Sequence, residues 1–323
     1  MSTGAQAVVD AGGEALTRLM ERVERRMADL ATGHGPALAR HAGETISAGG
    51  KRLRPLLVCL AAGTPPPETA GLVRAAVAVE LVHGATLVHD DVLDGSALRR
   101  GRPTVVATGG RAAATATGDL LFSRAFAELA AEGTGSPDAV RVLARASCEL
   151  ALGELTQRED AFRTDVSVKR YLARCRLKTA VLFRAACELG ALEGEPDPRA
   201  LGTFGERIGL AFQILDDVLD VSGPPERTGK PRGTDLLDGT VTLPLILARE
   251  RDRELSELDL HAVRTAADAV AVCDRIAATG ALDAARCRAR DLVAEAKFGL
   301  PALPDRQREA LELAADVMVE RYA

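Results

Sequence analysis

Apolar residues recur with a helical period along most of this chain, and no other feature constrains its fold as strongly. In segment 14–31, Leu16, Leu19, Val23 and Met27 fall on one helix face, and the charged residues fall on the opposite face. No segment shows the two-residue alternation that is typical of a half-buried strand. Aromatic residues, which favour strands, make up only 3% of the 323 residues. The sequence therefore predicts an all-α fold.

Helical patterns cover several segments, which stretches rich in proline and glycine separate. The segments are 14–31, 71–93, 111–132, 137–160, 167–190, 198–221, 241–254, 261–278, 281–296 and 305–321. Because no break is longer or more polar than an ordinary loop, we expect one domain over residues 1–323. The loop 222–233, with three prolines and three glycines, could act as a lid.

The composition excludes several classes of function. The net charge is −5, so the composition does not indicate the basic surface of a nucleic-acid-binding protein. Aromatic residues, on which bases could stack, are only 3% of the chain. Six cysteines occur singly, which is typical of reduced cysteines in a cytoplasmic protein. The first residues have no signal-peptide pattern, and no uncharged apolar run reaches the roughly 18 residues that span a bilayer. We expect a cytoplasmic protein with no transmembrane segment and no nucleic-acid partner.

The pentad DDVLD occurs twice, each time at the end of an apolar helical segment. Its aspartates are Asp90, Asp91, Asp94, Asp216, Asp217 and Asp220. On a helix, the first and last aspartates of a pentad share one face, and the second lies about 100° further round. One such cluster could be a solvated helix end, but its carboxylates repel each other and oppose the helix dipole. Two copies therefore indicate that all six carboxylates face outward and bind metal.

Magnesium is the cation that fits these clusters best. Mg²⁺ prefers oxygen ligands and is usually held by one or two carboxylates, water and substrate phosphates. Zinc would require thiolate or imidazole ligands, and although His83 and His89 are near the first pentad, no cysteine is. The spacing and the glycine of an EF-hand calcium loop are absent. The pentads therefore predict Mg²⁺ sites that bridge to a polyphosphate.

Basic residues gather in four short motifs, as phosphate binding requires. The motifs are GGKRLRP (49–55), LRRGRPT (98–104), RLKTA (176–180) and RTGKPRG (227–233). They contain Lys51, Arg52, Arg54, Arg99, Arg100, Arg102, Arg176, Lys178, Lys230 and Arg232. Each motif alone could be a solvated basic loop, but with two acidic clusters they indicate a cavity that binds a diphosphate.

With these motifs in this order, the chain resembles the trans-isoprenyl diphosphate synthases, or polyprenyl synthetases. The resemblance covers roughly residues 45–250 and includes GGKRLRP, HGATLVHDDVLD, RRGRPT, GDLLFSRAF, LKTA, FQILDDVLD, GKPRGTDL and VTLPL. It implies a single-domain bundle of mostly antiparallel helices around a central cavity, usually in a homodimer. The implied reaction is head-to-tail condensation of isopentenyl diphosphate with an allylic diphosphate. Three Mg²⁺ ions, held by Asp90, Asp94 and Asp216 with support from the other aspartates, are expected to bind the allylic diphosphate.

The resemblance also implies roles for individual residues. It assigns the allylic diphosphate to Arg99, Lys178 and Lys230. It assigns the diphosphate of isopentenyl diphosphate to Lys51, Arg54, His83 and Arg100. Without the motif, a histidine such as His83 on an apolar helix would be read as a core residue. Two further polar residues, Thr179 and Gln213, are expected beside the diphosphate.

The sequence departs from the family pattern at one position of the expected site. Many members have a lysine just before the TLP motif, whereas DLLDGTVTLPL has Thr240 there. One cation is therefore missing near the last metal. We expect this difference to tune the rate and not to abolish activity.

The length of the product should depend on the residues that close the cavity. Short-product members often have an aromatic residue four or five positions before the first aspartate, where this chain has Thr86 and Ala85. Val82, one turn deeper, is also modest in size. The floor is therefore expected at Phe122 or Phe126, although either could be an ordinary core residue. We expect a product of about 30 to 50 carbons (C30–C50), made from farnesyl or geranylgeranyl diphosphate.

Four alternatives remain open at this point. A geranylgeranyl diphosphate synthase would stop at C20, and a class I terpene cyclase would consume one allylic diphosphate without isopentenyl diphosphate. A partner-dependent subunit of a heteromeric synthase is also possible, but such subunits tend to lose aspartates and this chain keeps all six. A structural metal-binding protein would not need the basic motifs.

Overall fold

The computed structural model of the chain describes residues 3–32, 36–47, 50, 52–99, 101–131, 133, 135–223 and 231–320. Its α-helices, in chain order, are α1 (Thr3–Thr32), α2 (Pro36–Ser47), α3 (Leu53–Ala62), α4 (Ala70–Asp94), α5 (Val105–Leu129), α6 (Pro137–Asp160), α7 (Val168–Cys175), α8 (Val181–Leu192), α9 (Pro198–Ser222), α10 (Thr234–Leu237), α11 (Leu243–Arg249), α12 (Arg253–Ser256), α13 (Ala266–Ala278), α14 (Ala281–Phe298) and α15 (Asp305–Glu320). A π-helical turn (Arg176–Ala180) joins α7 to α8, and a 3₁₀ turn (Leu260–Ala262) precedes α13. Two short strands, β1 (Leu98–Arg99) and β2 (Arg102–Pro103), form an antiparallel hairpin between α4 and α5. The all-α class is confirmed.

Helix α4 has clear start and stop signals, which place the first pentad in its last turns. The hydroxyl of Thr69 caps the N-terminus and accepts a hydrogen bond of 3.0 Å from the Leu72 N–H. Gly95 ends the helix in the left-handed region (φ 63°), which glycine adopts at no steric cost, and its N–H donates to the Asp91 carbonyl. The hairpin that carries Arg99 follows directly.

Most of the predicted helices are confirmed. Segment 137–160 matches α6, and α4 and α9 match their predicted segments within one residue at each end. Helices α1 and α5 start earlier than expected. Each contains a glycine in the left-handed region, Gly13 (φ 79°) or Gly110 (φ 76°), one residue before the predicted start. The apolar period therefore located the regular part of each helix.

Other parts of the prediction are wrong in detail. Segment 241–254 contains the short helix α11 and only the start of α12, and segment 167–190 is interrupted by the π-helical turn. The predicted helical segments do not include α2 and α3. In α3, residues 55–62 are all buried, so the helix is apolar on every side and shows no period.

The contacts between helices group the chain into two compact units. The first comprises Met1–Ser147, Leu182–Gly205 and Leu300–Ala314, and the second comprises Cys148–Val181, Glu206–Gly299 and Ala315–Ala323. In the first unit α4 packs along α5 and against α1 and α3. In the second unit α11 packs against α14. The unit boundaries include positions inside α6 and α9, and the single domain over residues 1–323 stays a prediction.

Helix α4 is also the one helix among the described residues that is long and apolar enough to cross a bilayer. However, 67% of its most apolar stretch is buried inside the structure. The core helix of a soluble protein has the same properties. Packing against α5, α1 and α3 therefore accounts for its apolar length.

Candidate active site

The three aspartates of the first pentad have different surroundings. Asp90 is half-buried and Asp94 is exposed, whereas Asp91 is only 5% exposed. The Asp91 carboxylate forms an ion pair with Arg99, whose Nε and Nη2 both lie 2.8 Å from Oδ1. The expectation that all six pentad carboxylates face outward is therefore wrong for Asp91, because the hairpin folds back and brings its arginine to this residue.

The second pentad repeats this pattern at the end of α9. Asp216 is exposed and Asp220 is half-buried, whereas Asp217 is 4% exposed. Asp217 Oδ2 accepts a hydrogen bond of 2.6 Å from the Tyr171 hydroxyl, and Oδ1 accepts one of 2.7 Å from the Gln213 amide. The outward-facing expectation is therefore wrong for Asp217 as well, because the buried Tyr171 and the half-buried Gln213 hold its carboxylate.

Burial shifts the pKa values of both Asp217 and Tyr171. It raises the pKa of Asp217 to about 7, although the hydrogen bonds from Tyr171 and Gln213 partly offset the effect. Burial and the neighbouring carboxylate also raise the pKa of the Tyr171 hydroxyl, which therefore remains a donor at neutral pH. Asp217 is thus a buried carboxyl held by two hydrogen bonds, whereas Asp216 beside it is exposed.

Lys178 lies in the π-helical turn and contacts a residue that the sequence analysis missed. Its Nζ donates a hydrogen bond of 2.6 Å to Oε2 of Glu154 on α6, and Arg158 donates to the other oxygen at 3.0 Å. Burial opposes the charge of Glu154, but Lys178 and Arg158 outweigh it and lower the pKa of this carboxyl. Helix α6 approaches the π-helical turn closely here, since a Cβ on Gly153 would lie 2.6 Å from the backbone nitrogen of Lys178. A glycine inside a helical pattern was therefore the available signal for this contact.

Thr179, the next residue in the turn, connects to the second pentad. Its hydroxyl donates a hydrogen bond of 2.6 Å to Gln213 Oε1, while the Gln213 amide donates to Asp217. The structure therefore brings Thr179 and Gln213 together, as two of the polar residues expected beside the diphosphate. Tyr171, which completes this group, carried no local motif that could have identified it.

The residues assigned to isopentenyl diphosphate are only partly described. Lys51 and Arg100, and also Lys230 of the allylic set, lie outside the described residues. The guanidinium of Arg54 lies 4.5 Å from the ring centre of Phe183, a cation–π distance. The half-buried His83 accepts a hydrogen bond of 2.8 Å from Thr86 at its backbone carbonyl.

Arg52, in the same basic motif as Arg54, is bound to acidic residues of the protein itself. It is buried, and it forms ion pairs of 2.6 Å with Glu24 and 2.8 Å with Glu80. A buried arginine with two carboxylates is already neutralised. This arginine of the motif therefore holds α1 and α4 next to the start of α3.

The residues expected to control product length have mixed surroundings. Val82 and Ala85 are fully buried, and Thr86 is half-buried. The ring of Phe122 stacks on His89, with centres 5.8 Å apart. Along α4, His89 lies between Ala85 and the first pentad. A side chain that contacts His89 is therefore nearer to the pentad than Ala85 is, so this contact does not support Phe122 as a cavity floor deeper than Ala85. Phe126, one turn further along α5, is half-buried and stays a prediction.

A cavity of about 290 Å³ lies within the first unit beside the Asp91–Arg99 pair. Its lining includes Thr45, Leu87 and Thr104 together with both members of the pair. The walls thus combine apolar side chains with hydroxyl groups and a guanidinium, as expected of a site for a ligand with an apolar and an anionic part.

The donors in both pentads fit Mg²⁺ that binds together with a diphosphate. The described residues contain no group of three His, Cys, Asp or Glu side chains that could by itself hold a metal ion. A metal at either pentad would therefore have one or two carboxylate ligands and complete its shell with water and phosphate oxygens. Mg²⁺ prefers this arrangement.

Comparisons with known proteins agree with the motifs. A family model described as polyprenyl synthetase matches residues 36–278. The chain is 42% identical over 272 residues to heptaprenyl diphosphate synthase component 2 of Geobacillus stearothermophilus, which covers 83% of each protein. It is 37% identical over 289 residues to a geranylgeranyl diphosphate synthase of Methanosarcina mazei, covering 85% of this chain and 87% of the relative.

Solved structures show the same likeness. A polyprenyl synthase from Caulobacter crescentus, determined in complex with calcium and isoprenyl diphosphate, superposes with a TM-score of 0.88. The two chains are 38% identical, and the match covers 99% of this chain and 98% of the other. The helical architecture described above is therefore that of these enzymes.

Proposed function

Since this chain belongs to the polyprenyl synthetase family and is a prenyl diphosphate synthase, we propose that it condenses isopentenyl diphosphate with an allylic diphosphate, farnesyl or geranylgeranyl diphosphate. The reaction is a Mg²⁺-dependent head-to-tail transfer. The observation that carries this proposal is the burial pattern that each of the two pentads shows by itself. In each pentad, the first and last carboxylates are more exposed than the second one. The second carboxylate of the first pentad, Asp91, pairs with Arg99. That of the second pentad, Asp217, is linked through Gln213 to Thr179, the neighbour of Lys178, and both Arg99 and Lys178 are expected to bind diphosphate.

The pentads supply the metal-binding carboxylates of this reaction. Asp90, Asp94 and Asp216 would hold three Mg²⁺ ions, with support from Asp91, Asp217 and Asp220. Bound Mg²⁺ neutralises the charge that develops on the leaving diphosphate. The choice of Mg²⁺ is supported by the oxygen-only donors of both pentads and by the calcium and isoprenyl diphosphate in the Caulobacter crescentus relative.

The basic residues bind and orient the two diphosphates. Arg99, Lys178 and Lys230 hold the allylic diphosphate, with Thr179 and Gln213 beside it. Lys51, Arg54, His83 and Arg100 hold isopentenyl diphosphate so that its double bond faces the allylic cation as this forms. No protein general base is assigned, and the released diphosphate accepts the proton. The Asp91–Arg99 contact supports this scheme because it fixes one cation beside the first pentad.

The product is proposed to be C30–C50. Small residues at Ala85 and Thr86 and the likeness to a heptaprenyl diphosphate synthase component favour a long chain. A C20 product is the second candidate, since the Methanosarcina mazei relative is a geranylgeranyl diphosphate synthase. Thr240, in place of a lysine, tunes the rate in either case.

The chain is proposed to act as a homodimer in the cytoplasm. Helix α6 presents an apolar stripe of Cys148, Ala151, Leu152 and Leu155, in which both leucines are more than half exposed, and a second copy would cover it. The relative called component 2 raises the alternative of a different partner chain. Light scattering of the purified protein decides, because a monomer in the absence of other proteins would contradict the homodimer.

The test of the condensation is its need for two substrates. We expect diphosphate release only when isopentenyl diphosphate, farnesyl diphosphate and Mg²⁺ are all present. Release from farnesyl diphosphate alone would indicate a terpene cyclase and would overturn the proposal. Release that appears only after a second protein is added would indicate a heteromeric enzyme.

A further inference from the structure

A series of hydrogen bonds, which we call the Tyr171 chain, links four side chains of the second unit. Tyr171 donates to Asp217 Oδ2 at 2.6 Å, Gln213 donates to Asp217 Oδ1 at 2.7 Å, and Thr179 donates to Gln213 Oε1 at 2.6 Å. The side chains come from α7, α9 and the π-helical turn. Residues 46 positions apart are thereby joined.

The Tyr171 chain holds Asp217 inside the protein. Tyr171 is fully buried, so its hydroxyl has no water to replace the carboxylate as a partner. Each oxygen of Asp217 accepts a bond from a protein donor. A carboxylate held in this way is turned away from the exposed side of α9, where Asp216 lies.

The other end of the Tyr171 chain reaches the residue next to Lys178. Thr179 and Lys178 are consecutive in the π-helical turn, and such turns are rare and often mark functional sites. On one side the turn packs closely on Gly153 of α6. On the other side the Thr179 hydroxyl ties it to Gln213 and so to Asp217. The position of Lys178 therefore depends on both contacts.

We propose that Tyr171 is a positioning residue for the allylic diphosphate site. Through Asp217, Gln213 and Thr179 it fixes the π-helical turn in the conformation that presents Lys178. It also keeps Asp217 in a supporting role, so that Asp216 is the member of the second pentad that would hold metal. This role rests on the function proposed above for Lys178 and Asp216.

Helix α7 does not need the Tyr171 hydroxyl as an anchor. Arg174, on the same helix, is 3% exposed and forms an ion pair of 3.2 Å with the fully buried Asp160. It also donates to the Val241 carbonyl. These contacts fix α7 in the second unit. What the hydroxyl adds is its bond to Asp217 and a hydrogen-bonding contact with Cys175 on the same helix.

The Tyr171→Phe variant removes this hydroxyl and keeps the ring in the core. We expect the KM for the allylic diphosphate to rise about tenfold, the scale of one net hydrogen bond to a charged group, with an unchanged KM for isopentenyl diphosphate. Thr179→Val breaks the Tyr171 chain at its other end and should act in the same way. Thr279→Val is the control, since its hydroxyl donates to the Ile276 carbonyl (2.7 Å) and accepts from the Ala281 N–H (3.2 Å) in the same unit, and its loss should change neither KM.

Calorimetry with inorganic diphosphate and Mg²⁺ gives a readout that does not require turnover. The dissociation constant should rise by the same factor in Tyr171→Phe, and no further in the double variant with Thr179→Val, because the two residues act in series. Equal changes in both KM values, or additive effects in the double variant, would overturn the positioning role. A wild-type protein that binds diphosphate but forms no product would contradict the proposed function instead, and the calorimetric comparison would still decide the role of Tyr171.

Discussion

Lys178 and Glu154 form an ion pair in which Nζ lies 2.6 Å from Oε2. Both side chains are about one-quarter exposed or less, so solvent screens the pair only in part. An incoming diphosphate would have to compete with Glu154 for this lysine. The ion pair therefore weakens the electrostatic attraction between Lys178 and an anionic substrate.

The Glu154→Gln variant should bind diphosphate more tightly because it removes this competition. We expect the dissociation constant for Mg²⁺ and inorganic diphosphate to fall by about threefold, the scale of one partly exposed ion pair. Glu159→Gln, an exposed acid on the same helix, is the control and should have no effect. Weaker binding by Glu154→Gln would instead mean that Glu154 orients the lysine for its substrate.

The metal-binding carboxylates should be far more sensitive than other acids of the chain. Asp90→Asn and Asp216→Asn are each expected to lower kcat by about 10³-fold, since each removes part of the electrostatic stabilisation of the leaving group. Asp119→Asn is the control, because its carboxylate on α5 is exposed and lies 3.4 Å from His89. Rates measured over a Mg²⁺ titration check this, and wild-type rates for both pentad variants would contradict the metal assignment.

The buried Asp217 should make the stability of the metal-free protein depend on pH. Its pKa is raised from 3.8 to about 7 in the folded state. Between these values the folded chain keeps a proton that the unfolded chain has lost, so this group's stabilising contribution is lost as pH rises through 7. Asp217→Asn removes the effect, and the stability of this variant relative to wild type should increase from pH 4 to pH 8.

Chemical denaturation in the presence of a chelator measures this difference. Asp283→Asn, which changes an exposed carboxylate in the same unit, should follow the wild-type curve. A constant difference between Asp217→Asn and wild type across this range would show that Asp217 is ionised throughout.

The position at which a bulky substitution shortens the product should be Thr86 and not Ala85. Thr86 is half-buried, whereas Ala85 is fully buried in α4 next to other core residues. We expect Thr86→Phe to shorten the product toward C15–C20 with little change in Tm. Ala85→Phe, at the other position where short-product members often have an aromatic residue, should overpack the core and lower Tm. Chromatography of the hydrolysed products distinguishes them, and an unchanged product from Thr86→Phe would contradict this account.

The ends of α4 and α9 could be predicted because local signals define them. An apolar helix leads into each pentad, and Gly95 terminates the first. The burial of Asp91 and Asp217 could not be predicted in this way, since a helical wheel gives an angle but not the neighbour at that angle. Arg99 reaches Asp91 through a hairpin, and Tyr171 reaches Asp217 from another helix.

The residues that the sequence analysis missed lack a motif of their own. Glu154 lies in a correctly predicted helix, but its contact with Lys178 depends on the close approach at Gly153. The π-helical turn has no counterpart in a 3.6-residue period, so segment 167–190 was read as one continuous helix. Periodicity therefore located the helices, and the contacts between them remained for the structure to define.

The most direct test of the account is a product assay with the purified wild-type protein alone. Labelled isopentenyl diphosphate, farnesyl diphosphate and Mg²⁺ are incubated with it, and the hydrolysed products are separated by chain length. We predict incorporation that a chelator abolishes, with a ladder ending between C30 and C50. A ladder ending at C20 would keep the chemistry and contradict the length assignment, whereas no incorporation at all would contradict the condensation itself.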